Sequence, residues 1–180
     1  MNIENHRLED ARQVDCNYSS VRPNDELRLI VIHCISLPAG HFGGNYIEKL
    51  FCNNLDTSEH NDFGDLAELE VSSHLLIRRD GSILQFVPFN LCAWHAGESV
   101  FNGCSACNDF SVGIELEGTD TTKYATAQYQ VLAATCRLLI SEYHIPKESI
   151  VGHSDVAPGR KTDPGPLFDW DRFRNMVSKV

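Results

Sequence analysis

The run Leu27–His33 (L-R-L-I-V-I-H) constrains this chain more than any other segment. Apart from Arg28 it is apolar up to its last residue and rich in β-branched side chains. That pattern reads as a central strand buried on both faces rather than an edge strand alternating in and out of water. Burial on both faces demands a packed layer on each side of the sheet. The strand ends at His33-Cys34 and the chain breaks at Pro38-Ala39-Gly40. His33 therefore sits at the C-terminal end of a buried strand, a frequent place for chemistry in α/β sheets.

The remaining pattern supplies the layers. Thr126–Tyr143 is the clearest helix: Leu132, Cys136, Leu139 and Tyr143 recur at spacings of four, three and four, Thr126 is a candidate cap, and Pro146 follows its end. Val71–Arg78 and Ser82–Val87 flank Asp80-Gly81, a strong hairpin signal. Ser111–Glu117 alternates Val112, Ile114 and Leu116 with a face carrying Glu115 and Glu117. A short helix is expected within residues 43–53, an irregular loop and candidate lid at 54–65, a short strand at 149–151, and a last helix capped by Asp169 and running to Val177. No repeat, low-complexity tract or linker interrupts the 180 residues, which fit one α/β domain, 1–180, with helices over a β-sheet.

Fifteen basic against 25 acidic residues give a net charge of −10, which argues against nucleic-acid and anionic-membrane binding. A small soluble substrate in a local pocket is compatible with it. Residues 1–15 carry no apolar core of a secretory signal, no stretch approaches the ~18–20 apolar residues of a membrane span, and seven cysteines form an odd set. Together these read as free thiols in a cytoplasmic protein. Cys104-Ser-Ala-Cys107 has CxxC spacing but no second pair, so neither a zinc knuckle nor a redox motif is favoured.

Chemistry concentrates in V-G-H-S-D-V-A-P-G-R-K-T-D-P-G-P, Val151–Pro166. His153, Lys161 and Asp163 lie on a loop restrained by Pro158, Pro164 and Pro166, which limits the entropy lost on ordering it. His and Asp are zinc-ligand types, and three ligands with one open position make a hydrolytic zinc. His33 is the candidate third ligand. Each residue also has a plainer reading: His33 as a strand-end histidine, Asp163 as the start of a turn, Arg160 and Lys161 as solvated loop charges, His74 as a satisfied core histidine. His95, in Ala93-Trp94-His95-Ala96-Gly97, is a candidate pocket residue. Glu115 in mid-strand is the odd one, because a carboxylate is disfavoured there unless it meets water, a partner or a cleft.

Five segments occur in one order: V-I-H-C-I-S-L-P-A-G with H-F-G-G, V-S-S-H-L-L-I-R-R-D-G, A-W-H-A-G, C-N-D-F-S-V-G-I-E-L-E-G-T-D and G-H-S-D-V-A-P-G-R-K-T-D-P-G-P. Together, from about Val31 to Phe173, they resemble the cytoplasmic 1,6-anhydro-N-acetylmuramoyl-L-alanine amidases of bacterial peptidoglycan recycling. A wider resemblance extends to phage amidases and peptidoglycan-recognition proteins. The resemblance implies the amidase/peptidoglycan-recognition fold, a mixed central β-sheet flanked by helices. It implies one zinc ion per chain on His33, His153 and Asp163, Glu115 as the catalytic carboxylate, and Lys161 as stabiliser of the transition state. It also implies Trp94 as a flat wall for a sugar ring. The implied reaction is hydrolysis of the amide between the muramoyl lactyl group and L-alanine, on an anhydromuropeptide and with no obligatory protein partner.

Three positions depart from the family pattern. Cys34 stands where Asn is common after the first histidine. Glu70 and Ala106 stand where basic residues are common. None is an implied ligand or catalytic group, so the departures bear on substrate contacts, and Cys34 adds a thiol beside the implied zinc. Two other readings compete: a non-catalytic muropeptide-binding module of the same fold, and an exported wall amidase.

Overall fold

The computed structural model describes residues 1–16 and 18–179. Six strands form the main sheet: β1 (Arg12–Gln13), β2 (Leu29–Ile35), β3 (Leu75–Ile77), β4 (Ile83–Gln85), β5 (Ser111–Glu117) and β6 (Ile150–Gly152). Their spatial order is β6-β2-β5-β3-β4-β1. Strands β6, β2, β5 and β3 run parallel, β4 returns antiparallel to β3, and β1 is parallel to β4. The sheet is thus mixed, and the described residues include the α-helices α1 (Tyr46–Phe51), α2 (Thr126–Tyr143), α3 (His153–Val156) and α4 (Trp170–Ser178), with short two-stranded pairings at the periphery.

The apolar run of β2 is buried on both faces as its composition demands, with Leu29, Ile30, Val31 and Ile32 fully inaccessible. Alternation then divides its neighbours between two layers. Ile30, Ile32, Val112, Ile114 and Leu116 face α2 and α4, where Leu132, Cys136, Leu139, Phe173 and Val177 close the larger core. On the opposite face, Leu29 and Val31 pack with Phe110 and Val156, while Leu76, Leu84 and Phe86 pack with Ile47, Leu50 and Phe51 of α1. His33, Glu115 and Glu117 belong to that second face, near the C-terminal ends of their strands.

Several expected elements shrink. The hairpin turns at Asp80-Gly81, but only Leu75–Ile77 and Ile83–Gln85 are paired, in the register Ile77 opposite Ile83. Beyond the paired residues the two arms stay linked by single backbone bonds, Arg78 N–H to Ser82 O at 2.9 Å and Phe86 N–H to His74 O at 3.0 Å. The short helix is Tyr46–Phe51. The stretch expected to be irregular contains a 3-10 turn, Asn61–Leu66, anchored by a fully buried Phe63 and tied to the 38–40 turn by Ala39 N–H donating to Asp62.

The start of α2 also differs. Thr126 is its first helical residue, and the cap position is Ala125, which has no side-chain acceptor. Gln128 compensates: its Oε1 accepts the Ala125 N–H at 3.0 Å, and its Nε2 donates to Ile77 O at 3.2 Å and Glu117 O at 3.0 Å. A fully buried amide thus bolts the helix to β3 and β5. Asp169 caps α4 as expected, accepting from Arg172 N–H at 2.9 Å. Replacing Gln128 with Ala strands these buried groups, each at about 1–3 kcal/mol. Urea denaturation of Gln128→Ala should therefore show a loss on the order of 3 kcal/mol, and a change under half that would refute the bolt.

Candidate active site and metal centre

Parallel pairing sets the site. In register, Glu115 of β5 lies beside His33 of β2, and Gly152 of β6 lies beside Ile32. The residue after Gly152 is His153, the first of α3, so three adjacent strand ends deliver Glu115, His33 and His153 to one edge. The 158–166 loop then folds back over that edge. Ser154 N–H donates to Asp163 O at 3.0 Å, Tyr124 OH donates to Pro164 O at 2.7 Å, and Thr162 Oγ1 donates to Asp120 at 2.9 Å. Gly165 has φ +85° and lies so close to Asp120 that any Cβ would overlap its backbone. Arg160, read from sequence as a solvated charge, instead donates from Nη2 to Ala96 O and Glu98 O, both at 2.6 Å, and cross-links the loop to the 96–98 turn.

His33, His153 and Asp163 converge as their residue types suggest. His33 Nδ1 is 2.9 Å from His153 Nδ1, and each is 3.1 Å from Asp163 Oδ2. A tetrahedral zinc with bonds of ~2.0–2.1 Å holds its donors about 3.3 Å apart, so this set fits such an ion within a few tenths of an ångström. His153 Nε2 lies 3.1 Å from Ala96 O, which can only accept; the proton is therefore on Nε2 and the Nδ1 lone pair faces the cluster. Burial pushes His33 down to about 4, keeping it neutral near pH 7.

The two glutamates of β5 share a face and differ in partner. Glu117 is structural. Its Oε1 accepts from Arg78 Nη1 at 2.6 Å and from Gly43 N–H at 2.7 Å, and its Oε2 accepts from Arg79 N–H at 3.2 Å. Glu115 is 8% exposed, and among the described residues its buried Oε2 meets no hydrogen-bond donor. Burial, reinforced by Asp163 and opposed by Lys161, raises its pKa well above the ordinary glutamate value. Lys161 is exposed on the wall of an open cleft of 570 Å³ that also takes in Cys34, Asp120 and Asp163.

Other expected residues fall outside the cluster. Cys34 points to the opposite face of β2 from His33, against the α2 core, and burial raises its thiol to about 12. It stays a protonated thiol that lines the cleft and is no member of the ligand set. Trp94 is half-buried and packs on Tyr18 at 5.4 Å between ring centroids, with Nε1 donating to Ser20. It precedes His95 but is not part of the cleft wall around Lys161. His74 is a satisfied core histidine: Nδ1 accepts from Gly113 N–H at 3.0 Å, Nε2 faces Leu91 O at 3.0 Å, and burial and Arg22 hold it at about 3. Glu70 and Ala106 are exposed, Ala106 with a left-handed φ of 59°. His95, read from sequence as a candidate pocket residue, instead touches His33, with its Nδ1 2.9 Å from His33 Nε2. The signal that points to it is Gly113, a glycine inside a strand, which marks a close approach.

Residues 23–166 match the family model for N-acetylmuramoyl-L-alanine amidases. The chain belongs to that family. It is 54% identical over 180 residues to the 1,6-anhydro-N-acetylmuramyl-L-alanine amidase AmpD of Escherichia coli (strain K12), covering 99% of this chain and 98% of that one. A crystal structure of a selenomethionine derivative of AmpD superposes with a TM-score of 0.96 at 51% identity, covering 99% of this chain and all of the other. More distantly, at 31% identity and a TM-score of 0.61, the amidase AmiD from E. coli matches over 83% of this chain and 57% of its own; that structure holds anhydro-N-acetylmuramic acid-L-Ala-D-γ-Glu-L-Lys as substrate. The chain is therefore an amidase hydrolase of the AmpD type. Among the described residues no helix is long and apolar enough to cross a membrane.

The two glutamates should respond oppositely to neutralisation. Glu117→Ala leaves Arg78 with Glu48 as its remaining carboxylate partner, strands the Gly43 and Arg79 N–H groups, and should cost about 1–3 kcal/mol. Glu115→Gln removes a buried charge that the fold disfavours. A carboxyl whose folded pKa is raised weakens the fold only once pH climbs past the unfolded value of about 4.3. Metal-free Glu115→Gln should therefore melt above the parent at pH 7 and together with it near pH 4. Equal melting temperatures at pH 7 would contradict the unpartnered environment of Glu115.

Proposed function

We propose that this single domain, 1–180, is a zinc-dependent amidase of the cytoplasm. It hydrolyses the amide between the lactyl group of 1,6-anhydro-N-acetylmuramic acid and L-alanine in soluble muropeptides, during peptidoglycan recycling. One observation carries the reading: a buried carboxylate with an unpartnered oxygen, Glu115, stands in register beside His33 of the His-His-Asp cluster. The near-full-length likeness to AmpD supports the substrate class.

His33, His153 and Asp163 would hold one zinc ion per chain, with an open position toward the cleft. When bound, zinc supplies Lewis-acid polarisation of an amide carbonyl and acidifies water toward neutrality. Glu115 takes the proton of the attacking water on Oε2. It then hands that proton to the leaving amine of L-alanine, and its raised pKa brings it closer to the pH at which it must do both. Lys161, on the cleft wall, offers its ammonium to the oxyanion that develops on the carbonyl oxygen. The loop cross-links of Arg160, Thr162 and Pro164 keep Lys161 and Asp163 in one frame, so that ligand and stabiliser move together. Trp94 and Cys34 are assigned to substrate contact, Trp94 with its half-buried ring beside the sugar and Cys34 in the cleft wall.

Mass spectrometry of products from anhydro- and non-anhydro-muropeptides, with and without a zinc chelator, tests the assignment. The expected product pair is the anhydro sugar acid and the free L-alanyl peptide, lost on chelation and regained with zinc. Full zinc loading without product would instead identify a binding module of this fold. Glu115→Ala should reduce turnover by about 10²–10⁴-fold with zinc retained, and Lys161→Met by about 10²–10³-fold. Undiminished turnover in either variant removes that residue from the mechanism. Because Glu115 acts as a base when ionised, kcat/KM should fall with decreasing pH along a limb whose midpoint lies above the ordinary glutamate value.

A further inference from the structure

His95 is buried, touches a candidate ligand and has no part in the reaction derived above. Its hydrogen bonds form a chain whose direction is fixed from one end. Ser111 Oγ is 2.6 Å from Cys107 O, which can only accept, so the hydroxyl proton is spent there. Ser111 Oγ is also 3.1 Å from His95 Nε2 and has only acceptor capacity left, so His95 carries its proton on Nε2. A neutral His95 then has a bare Nδ1, which lies 2.9 Å from His33 Nε2. His33 must donate from Nε2, and its own Nδ1 is left as a bare lone pair directed at His153 and Asp163.

The sheet makes room for this chain at one residue. On the site face of β5, Gly113 sits between Ser111 and Glu115. A Cβ there would overlap the His95 ring, coming within 2.6 Å of Cδ2 and 2.7 Å of Nδ1. Gly113 cannot shift to relieve the overlap. Its N–H donates to His74 Nδ1, and its carbonyl accepts from Ser73 Oγ at 2.9 Å and from His74 N–H at 3.2 Å. The imidazole of His95 thus lies in a slot formed by a missing side chain, level with His33 on the neighbouring strand.

We propose that His95 is the positioning residue of the metal centre: through the chain Cys107 O–Ser111–His95–His33 it fixes the tautomer and ring orientation of His33. This rests on the reading that His33 holds a metal. His153 receives the matching restraint from Ala96 O, one residue beyond His95, so the 95–96 segment orders both histidines at once. A ligand histidine locked in this way binds before any rotamer or tautomer search, and loss of such a partner typically costs about 10–100-fold in metal affinity.

Nitrogen-15 NMR of the histidine rings in the metal-free protein tests the tautomer directly. His33 is expected to carry a proton on Nε2 throughout; a His33 population with a bare Nε2 overturns the proposal whether or not zinc binds. Zinc affinity, measured by competition with a chromophoric chelator, tests its consequence. His95→Phe keeps the ring and removes the acceptor, and should weaken zinc about 10–100-fold with an unchanged circular dichroism spectrum. His95→Asn, which restores an acceptor near the Nδ1 position, should recover most of that loss. Ser111→Ala leaves His95 in place but frees its tautomer, and should produce a smaller loss together with a mixed His33 tautomer. Unchanged affinity in His95→Phe and Ser111→Ala would refute the role. If the parent binds no zinc, the metal reading fails, and the NMR result still decides the tautomer lock.

Discussion

The parallel register between β2 and β5 is the constraint on which the rest depends. It sets Glu115 beside His33 along seven paired positions, and the pairing of β6 with β2 brings His153 to the same edge. A slip of one residue would turn every side chain of the shifted strand to the opposite face. Glu115 would then enter the α2 core and Ile114 or Leu116 the site. The apolar half of each strand prevents this, because Ile30, Ile32, Val112, Ile114 and Leu116 are all required under α2. The helical core, on the far side of the sheet, thereby fixes the geometry of the chemistry.

That division explains what is legible in the sequence. Strand β2 and helix α2 are readable because their patterns are long and their burial is nearly complete. The zinc-ligand types in the 151–166 phrase are readable from chemistry alone, and the ordered set of motifs joins them to His33 and Glu115. The roles of Gln128, Arg160 and His95 are not readable, because each depends on a backbone carbonyl or ring brought near by folding. Gln128 spans to Ile77 and Glu117, Arg160 to Ala96 and Glu98, and His95 to His33. No local propensity encodes such contacts. Thr126 is the converse case: it has the composition of a cap, but tertiary packing begins the helix one residue earlier and hands the free amide to Gln128.

The two glutamates of β5 show how one strand face supports opposite purposes. Glu117 is surrounded by donors from Arg78, Arg79 and Gly43, so its charge is compensated and it ties the hairpin and the 43–44 turn to the sheet. Glu115, two residues earlier, is buried almost as deeply with an oxygen left unpartnered. A fold selected for stability alone would place an apolar residue there. Its retention as a carboxylate beside the His-His-Asp cluster is the local inconsistency expected of a site that must hold and release a proton.

The departures from the family pattern lie away from this machinery, and the structure gives each a different weight. Cys34 shares the cleft wall with Lys161 and Asp163, so a thiol stands there where the family pattern commonly has an amide. Its high pKa keeps it neutral, which removes hydrogen-bonding capacity without adding charge. Glu70 and Ala106 are exposed, and at both positions a cation common in the family is absent. The net charge of −10 makes that absence consequential, since nothing in the overall field draws in an acidic stem peptide. Under the proposed function, recognition rests on local groups of the cleft, chiefly Lys161. The strand register places the cluster, while Glu70 and Ala106 lie on exposed segments outside it.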